Sequence, residues 1–139
     1  MKLGIGGGTG SLTTSALAVG LSRLAIDLIR EEAEKRSDLE EVFHSLDRTR
    51  KELTRKMWLS NSGEVSPEDP EFTPGIIRQQ ANLLALRSTQ AALTATKGRG
   101  FVKGHPAERM VREAMFFLVW SCPQPVAQAT LREFACISS

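Results

Sequence analysis

Apolar residues recur along this chain at three- and four-residue intervals, the spacing that gathers side chains on one face of an α-helix. Leu17, Leu21, Leu24 and Leu28 form the first such stripe. It predicts a helix capped by Ser11 or Thr13 and reaching about Arg36, with the charged run Glu31 to Arg36 as its solvated end. A second stripe is Leu39, Val42, Phe43, Leu46, Leu53 and Met57. Ahead of it, Ser37-Asp38-Leu39-Glu40 has the form of a capping box, in which the Ser hydroxyl and the Glu carboxylate each take an orphan amide. The polar face of this helix offers Asp47–Lys51 and Glu52–Lys56 as i,i+4 pairs.

The segment Asn61 to Pro74 holds three prolines and reads as a loop. Thr73 is placed to cap a third helix, and Pro74 suits its first turn because that position needs no amide donor. This helix runs to about Lys97 and lines one side with Ile77, Ala81, Leu84, Ser88, Ala91 and Ala95. Residues that small let a neighbouring helix come close. Gly98-Arg99-Gly100 stops it. A fourth helix is expected from about Pro106 to Trp120, with Phe116 to Trp120 buried in the core. Pro123 and Pro125 break it, and a short fifth helix follows to Phe134. No stretch alternates with period two over a useful length. The expected fold is all-α: an antiparallel four-helix up-and-down bundle with a short fifth C-terminal helix, over residues 11–139. Residues 1–10 read as a flexible glycine-rich lead-in.

Composition narrows the function more than it selects one. A length of 139 residues suits one domain with one core. Eighteen Lys and Arg against sixteen Asp and Glu leave a net charge of +2, too small to argue for a nucleic-acid or membrane partner. The weakly polar run Leu12 to Ile29 contains Arg23 and Asp27, which suits neither a membrane span nor a signal peptide. Cys122 and Cys136 lie far in sequence from His44 and His105, so no metal site is expected, and the two thiols read as reduced in a cytoplasmic protein. Arg48, Arg50, Lys51, Arg55 and Lys56 form a basic cluster able to meet phosphate, but interleaved acids favour a solvated helix face.

Gly6-Gly7-Gly8-Thr9-Gly10-Ser11 has the look of a phosphate-binding glycine box. Such loops join a buried strand to a helix. Only five residues precede Gly6, Leu12 stands where the tubulin-like box has a further glycine, and Gly10 stands where a P-loop has lysine. The stretch therefore reads as a lead-in to a helix.

The most specific segment is Gly98 to Trp120, "GRGFVKGHPAERMVREAMFFLVW". It resembles the C-terminal helical domain of the acyl-CoA dehydrogenases, whose pattern is Gly-x-Gly-Tyr followed by Pro-x-Glu-Arg-x-x-Arg-Asp-Ala. Gly98, Gly100, Phe101, Pro106, Glu108, Arg109, Arg112, Glu113 and Ala114 match it in spacing. Ala18 to Leu28 resembles that family's Gly-Leu-Ala-x-x-Ala helix, so the resemblance spans about residues 11–135. It implies the last domain of a flavoprotein that uses FAD to oxidise an acyl-CoA thioester, with separate N-terminal and middle domains. It also implies a homo-oligomer assembled through these helices, to which the small-residue side of the third helix is suited.

Carried over residue by residue, the resemblance leaves the chemistry vacant. At one of the two places where the family carries its catalytic glutamate stands Ser121, followed by Cys122 and Pro123; near the other stands Gly10. A serine hydroxyl is too weak an acid to serve as that base. The family's FAD-contacting Arg-x-x-Phe-Gly is matched by Arg36 but continues Leu39 and Glu40, and its flavin-contacting Gln aligns with Asp47. A Gly-Gly element reads Lys97-Gly98. By resemblance, Arg36, Gly98 and Gly100 are the remaining cofactor-contacting positions, while acids near a pyrophosphate oppose its binding. The expectation is an inactive assembly domain that binds no FAD by itself. The alternative is a stand-alone helical protein-interaction module without a redox role.

Overall fold

The computed structural model describes residues 12–66, 68–97 and 104–138. All the regular structure among them is helical: α1 (Thr13–Ala33), α2 (Glu40–Ser62), α3 (Pro74–Thr96), α4 (Pro106–Phe116) and α5 (Gln124–Phe134). Short 3-10 turns, Ser37–Leu39 and Pro70–Phe72, precede α2 and α3. The glycine-rich stretch Gly6 to Ser11, including Gly10, lies outside the described residues, as do Gly98 and Gly100.

The core is built on α1 against α3, the most extensive helix pairing in the molecule. Ala18 and Ala25 of α1 and Ala81, Ala85 and Ala92 of α3 are fully buried. Small side chains bring the helix axes together and let Ile29 and Ile77, both fully buried, close the layer. Burying each such side chain contributes about 1.5–3 kcal/mol. Buried hydroxyls along the seam turn back onto their own helices: Ser22 donates to the Ala18 carbonyl at 2.9 Å, Ser88 to Leu84 at 2.7 Å and Thr89 to Ala85 at 2.7 Å. Their burial therefore leaves no orphan donor. The buried Ser15 hydroxyl has no partner among the described residues. α2 and α4 each touch both members of the central pair, and α5 packs on α3.

This packing corrects the first stripe. Leu21 is buried and Leu28 partly so, but Leu17 and Leu24 are exposed. The inward face of α1 carries Ser15, Ala18, Ser22, Ala25 and Ile29 instead. Close approach to α3 selects small residues, and that rotates the leucines at 17 and 24 outward.

Several helix ends also differ from expectation. α1 starts at Thr13 after Leu12, with no side-chain cap, and stops at Ala33 short of Arg36. Thr13 is thus the first helical residue and not the cap. The capping box at Ser37 does not form: Ser37 opens a 3-10 turn, and α2 begins at Glu40 without a side-chain cap. The far end of α2 stops at Gly63 with φ 79°, a left-handed conformation that costs glycine little. Val42 is exposed, and Leu53 is the one buried residue of α2. At α3 the expectation holds: Pro74 opens the helix, and the Thr73 hydroxyl accepts from the Ile76 amide at 3.4 Å.

α4 ends at Phe116, four residues early, and residues 117–120 form turns. Of the apolar run Phe116 to Trp120, Phe117 is buried, whereas Phe116, Val119 and Trp120 are exposed. The early stop turns these side chains outward, and Phe116 stacks on Trp120 with ring centroids 5.5 Å apart. The start of α4 has a cap of its own: His105 Nδ1 accepts from the Ala107 amide at 3.1 Å.

Candidate functional site

Arg36 lies between α1 and α2. Its guanidinium donates to the Ala95 carbonyl near the end of α3 at 2.9 Å and to the Asp38 carboxylate at 3.1 Å. It thereby ties the α1–α2 junction to the end of α3, just before the glycine segment. Lys97, at that end, holds φ 56° and ψ −139°, backbone torsions that favour glycine.

These residues fit a flavin pyrophosphate poorly. Arg36 is already committed to a carboxylate and a carbonyl. Asp38 stands beside it, and Glu40 and Glu41 occupy the first turn of α2. Carboxylates at a helix N-terminus use the dipole that would otherwise attract an anion. Asp47, aligned with a flavin-contacting glutamine, is held by Arg50 at 2.9 Å and Lys51 at 3.2 Å. Burial pushes its carboxyl up, but the hydrogen bonds and charges of Arg50 and Lys51 together outweigh burial and lower its pKa.

Ser121 lies at the other end of the molecule. Its φ is 49° and its side chain is exposed. Its carbonyl accepts from Arg78 of α3, which lies 17 residues before Ala95. At 1.5 Å per residue, this separates Arg78 from Ala95 by roughly 25 Å along the helix. Ser121 and Arg36 therefore do not share a site.

The polar centre that the sequence did not reveal is Arg78, only 6% exposed. Its Nη2 donates to the carbonyls of Phe117 and Trp120, both at 3.0 Å, its Nη1 to Ser121 at 3.2 Å, and its Nε to Asn82 Oδ1 at 3.1 Å. Asn82 adds a bond to the Phe117 carbonyl at 3.3 Å. A buried cation is thus stabilised by the negative end of α4, whose last carbonyls lack helical partners. Burial lowers its pKa, the neighbouring Cys122 raises it, and an arginine remains charged throughout the usual pH range. A sequence signal did exist: Arg78 and Asn82 stand four residues apart beside the buried positions Ile77 and Ala81.

The α4 charges matched in the family motif stay on their own helix. Glu108 pairs with Arg112 at 3.1 Å and Arg109 with Glu113 at 3.6 Å, both exposed i,i+4 contacts. They do not tie helices together. On α2, Asp47–Lys51 forms as expected, but Glu52–Lys56 does not: Glu52 takes Arg55 at 2.6 Å, and Lys56 takes Glu71 at 3.7 Å.

Between α1 and α4 runs an apolar groove of about 640 Å³. Leu17, Leu21, Leu24 and Phe116 line it, with Arg109, Arg112 and Glu113 at its margin. Both cysteines are free. Among the described residues no cluster of three or more His, Cys, Asp or Glu could hold a metal ion, and no helix is long and apolar enough to cross a membrane. Comparison of the chain with protein-family models, with curated proteins and with solved structures finds no match.

Proposed function

We propose that this chain is the C-terminal helical domain of an acyl-CoA dehydrogenase-like flavoprotein, diverged so that it serves assembly and not catalysis. In this reading α1 to α4 are the antiparallel up-and-down bundle and α5 the short closing helix. The protein is a cytoplasmic homo-oligomer, and the N-terminal and middle domains belong to a longer parent chain.

The observation that carries the reading is Lys97. It stands where the resembling family has the first glycine of a Gly-Gly pair, and its backbone holds φ 56° and ψ −139°, torsions that favour glycine. A lysine bears such torsions only where the surrounding fold demands them. Its neighbourhood supports the same reading, because Arg36 grips the end of α3 and the Pro-x-Glu-Arg-x-x-Arg segment opens α4. The departures from the family argue for loss of chemistry. Ser121 presents no base, and the acids around Arg36 oppose a flavin pyrophosphate.

Sedimentation velocity over a hundredfold concentration range, together with a titration of FAD fluorescence, tests this reading. Self-association without flavin retention is expected. A monomer at every concentration removes the assembly role, and stoichiometric flavin binding removes the claim that the chemistry is gone.

A second reading, a free-standing protein-interaction module, is favoured by one feature: the apolar groove with Leu17, Leu24 and Phe116 exposed along it. It requires that the isolated chain stay monomeric and that Leu24→Ser leave its stability unchanged.

A further inference from the structure

The groove between α1 and α4 has apolar walls that the described chain leaves open. Leu17, Leu24 and Phe116 are each a little more than half exposed, and the exposed Trp120 stacks on Phe116. Apolar side chains gathered in this way mark a surface that meets an apolar partner. On α1, Gly20 lies between Leu17 and Leu24 at three- and four-residue spacing, and nothing stands within 4 Å of the place a Cβ would take. The wall dips there, so a partner's backbone can come close.

The shape suits a helix. Leu17 to Leu24 and Arg109 to Phe116 are matching lengths of two helices, so each wall is about 10 Å long. The anchors of an amphipathic helix at i, i+4 and i+7 span the same length. A helix satisfies its own backbone groups, whereas an extended strand would leave amides and carbonyls unpaired against Leu and Phe side chains.

The charges select the partner's flank. Of the charged residues lining the groove, Arg109 and Arg112 are cations and only Glu113 is an acid. Both guanidiniums are exposed, and each meets an acid of its own helix through Nε, Arg109 to Glu113 at 3.6 Å and Arg112 to Glu108 at 3.1 Å. The Nη groups of both are left to fork onto carboxylates from outside. Exposed pairs of this kind contribute little, so they yield to a better partner. The exposed apolar stripe of α5, Leu131 and Phe134, is no match from a second copy: Arg132 flanks it, and Glu133 is already held by Arg87.

We infer that the α1–α4 groove takes an amphipathic helix of another protein, with apolar anchors at i, i+4 and i+7 and carboxylates beside them. The inference rests on the interaction reading above and names the partner's chemistry.

Two fluorescent peptides test it. Both carry leucines at i, i+4 and i+7 on an alanine-rich scaffold of about 18 residues, long enough to hold a helix. One flanks the leucines with glutamates, the other with lysines. Fluorescence anisotropy measures the affinity of each for the unmodified chain, for Leu24→Ser, for Arg112→Glu and for the control Leu131→Ser, an exposed change on α5. Far-UV circular dichroism checks folding, and sedimentation velocity gives the oligomeric state. The glutamate peptide should bind about tenfold tighter than the lysine peptide. Leu24→Ser should weaken it about tenfold, Arg112→Glu should weaken it and narrow the preference, and Leu131→Ser should leave it unchanged. Equal affinity for the two peptides, or binding indifferent to Leu24→Ser, overturns the inference. Failure of both peptides to bind also overturns it; a chain that is then monomeric, with Leu24→Ser as stable as the original, leaves the interaction reading standing. An oligomer that Leu24→Ser converts to monomer gives the groove to a second copy and overturns both.

Discussion

The Arg78 guanidinium on α3 donates to the Phe117 carbonyl at the end of α4, 3.0 Å away and 39 residues along the chain. The same group also holds the carbonyls of Trp120 and Ser121, so one side chain closes a helix that would otherwise end in unpaired acceptors. Arg78→Ala removes the donor shared by these carbonyls, leaving Phe117 only the bond from Asn82 and opening a cavity at a buried position. The expected loss is about 2–4 kcal/mol of unfolding free energy. Arg78→Lys should recover little of it, because an ammonium cannot reproduce the planar fork of donors. Urea unfolding of both variants measures this; a lysine variant as stable as the original would mean that charge alone suffices.

Lys97 holds φ 56° without being glycine. Replacing it with glycine relieves a conformation that costs of order 1–3 kcal/mol in other residues, while adding chain entropy to the unfolded state. The net expectation for Lys97→Gly is a gain of about 1 kcal/mol. A rise in Tm on calorimetry bears this out, and a fall shows that the lysine side chain supports the turn.

Gly20 sits inside α1, where a methyl group added at its Cα meets nothing within 4 Å. Glycine inside a helix costs about 0.5–1 kcal/mol relative to alanine. Gly20→Ala should therefore stabilise the isolated chain by about that amount in chemical denaturation. A fall in stability would mean that the missing side chain serves the fold.

Asp47 contributes a pH dependence of known sign. Its folded pKa lies below the ordinary carboxyl value of 3.8, since the bonds and charges of Arg50 and Lys51 outweigh its burial. A depressed carboxyl stabilises the fold above its unfolded pKa, and the contribution fades as pH falls through the folded one. Asp47→Asn should thus lower the urea midpoint at pH 7, and the gap to the unmodified protein should narrow as pH drops below 3.8. A gap independent of pH would place the effect in packing.

The α1–α3 seam tolerates little added volume. Ala85 is fully buried, and Thr89, equally buried, donates to its carbonyl. Ala85→Leu should destabilise by about 1–3 kcal/mol through overpacking. Retention of the original Tm would mean that the two helices can separate without penalty.

The helices were legible because each stripe and breaker acts locally. Thr73 and Pro74 start α3 as their chemistry requires, and Pro123 stands just ahead of α5 with Pro125 in its first turn. The choice of inward face was less legible. α1 has apolar or small residues on most of its circumference, so Leu17 and Leu24 competed with Ala18 and Ala25, and the approach of α3 decided between them. The run Phe116 to Trp120 looked like core because it is apolar, but its helix stops where Arg78 collects the terminal carbonyls. Of the candidate site, Arg36 could be singled out in advance, while its partner Ala95, 59 residues away, could not.

The sequence by itself determined an all-helical chain, its approximate breaks and its reserve of opposite charges, since these depend on neighbouring residues and on composition. Only the tertiary structure decided which face of each helix is buried and which polar groups are consumed. Arg36 pins the end of α3 and Arg78 the end of α4. Those roles arise because carbonyls left unpaired at helix ends must find donors, and the donors that reach them are brought by packing from far along the chain.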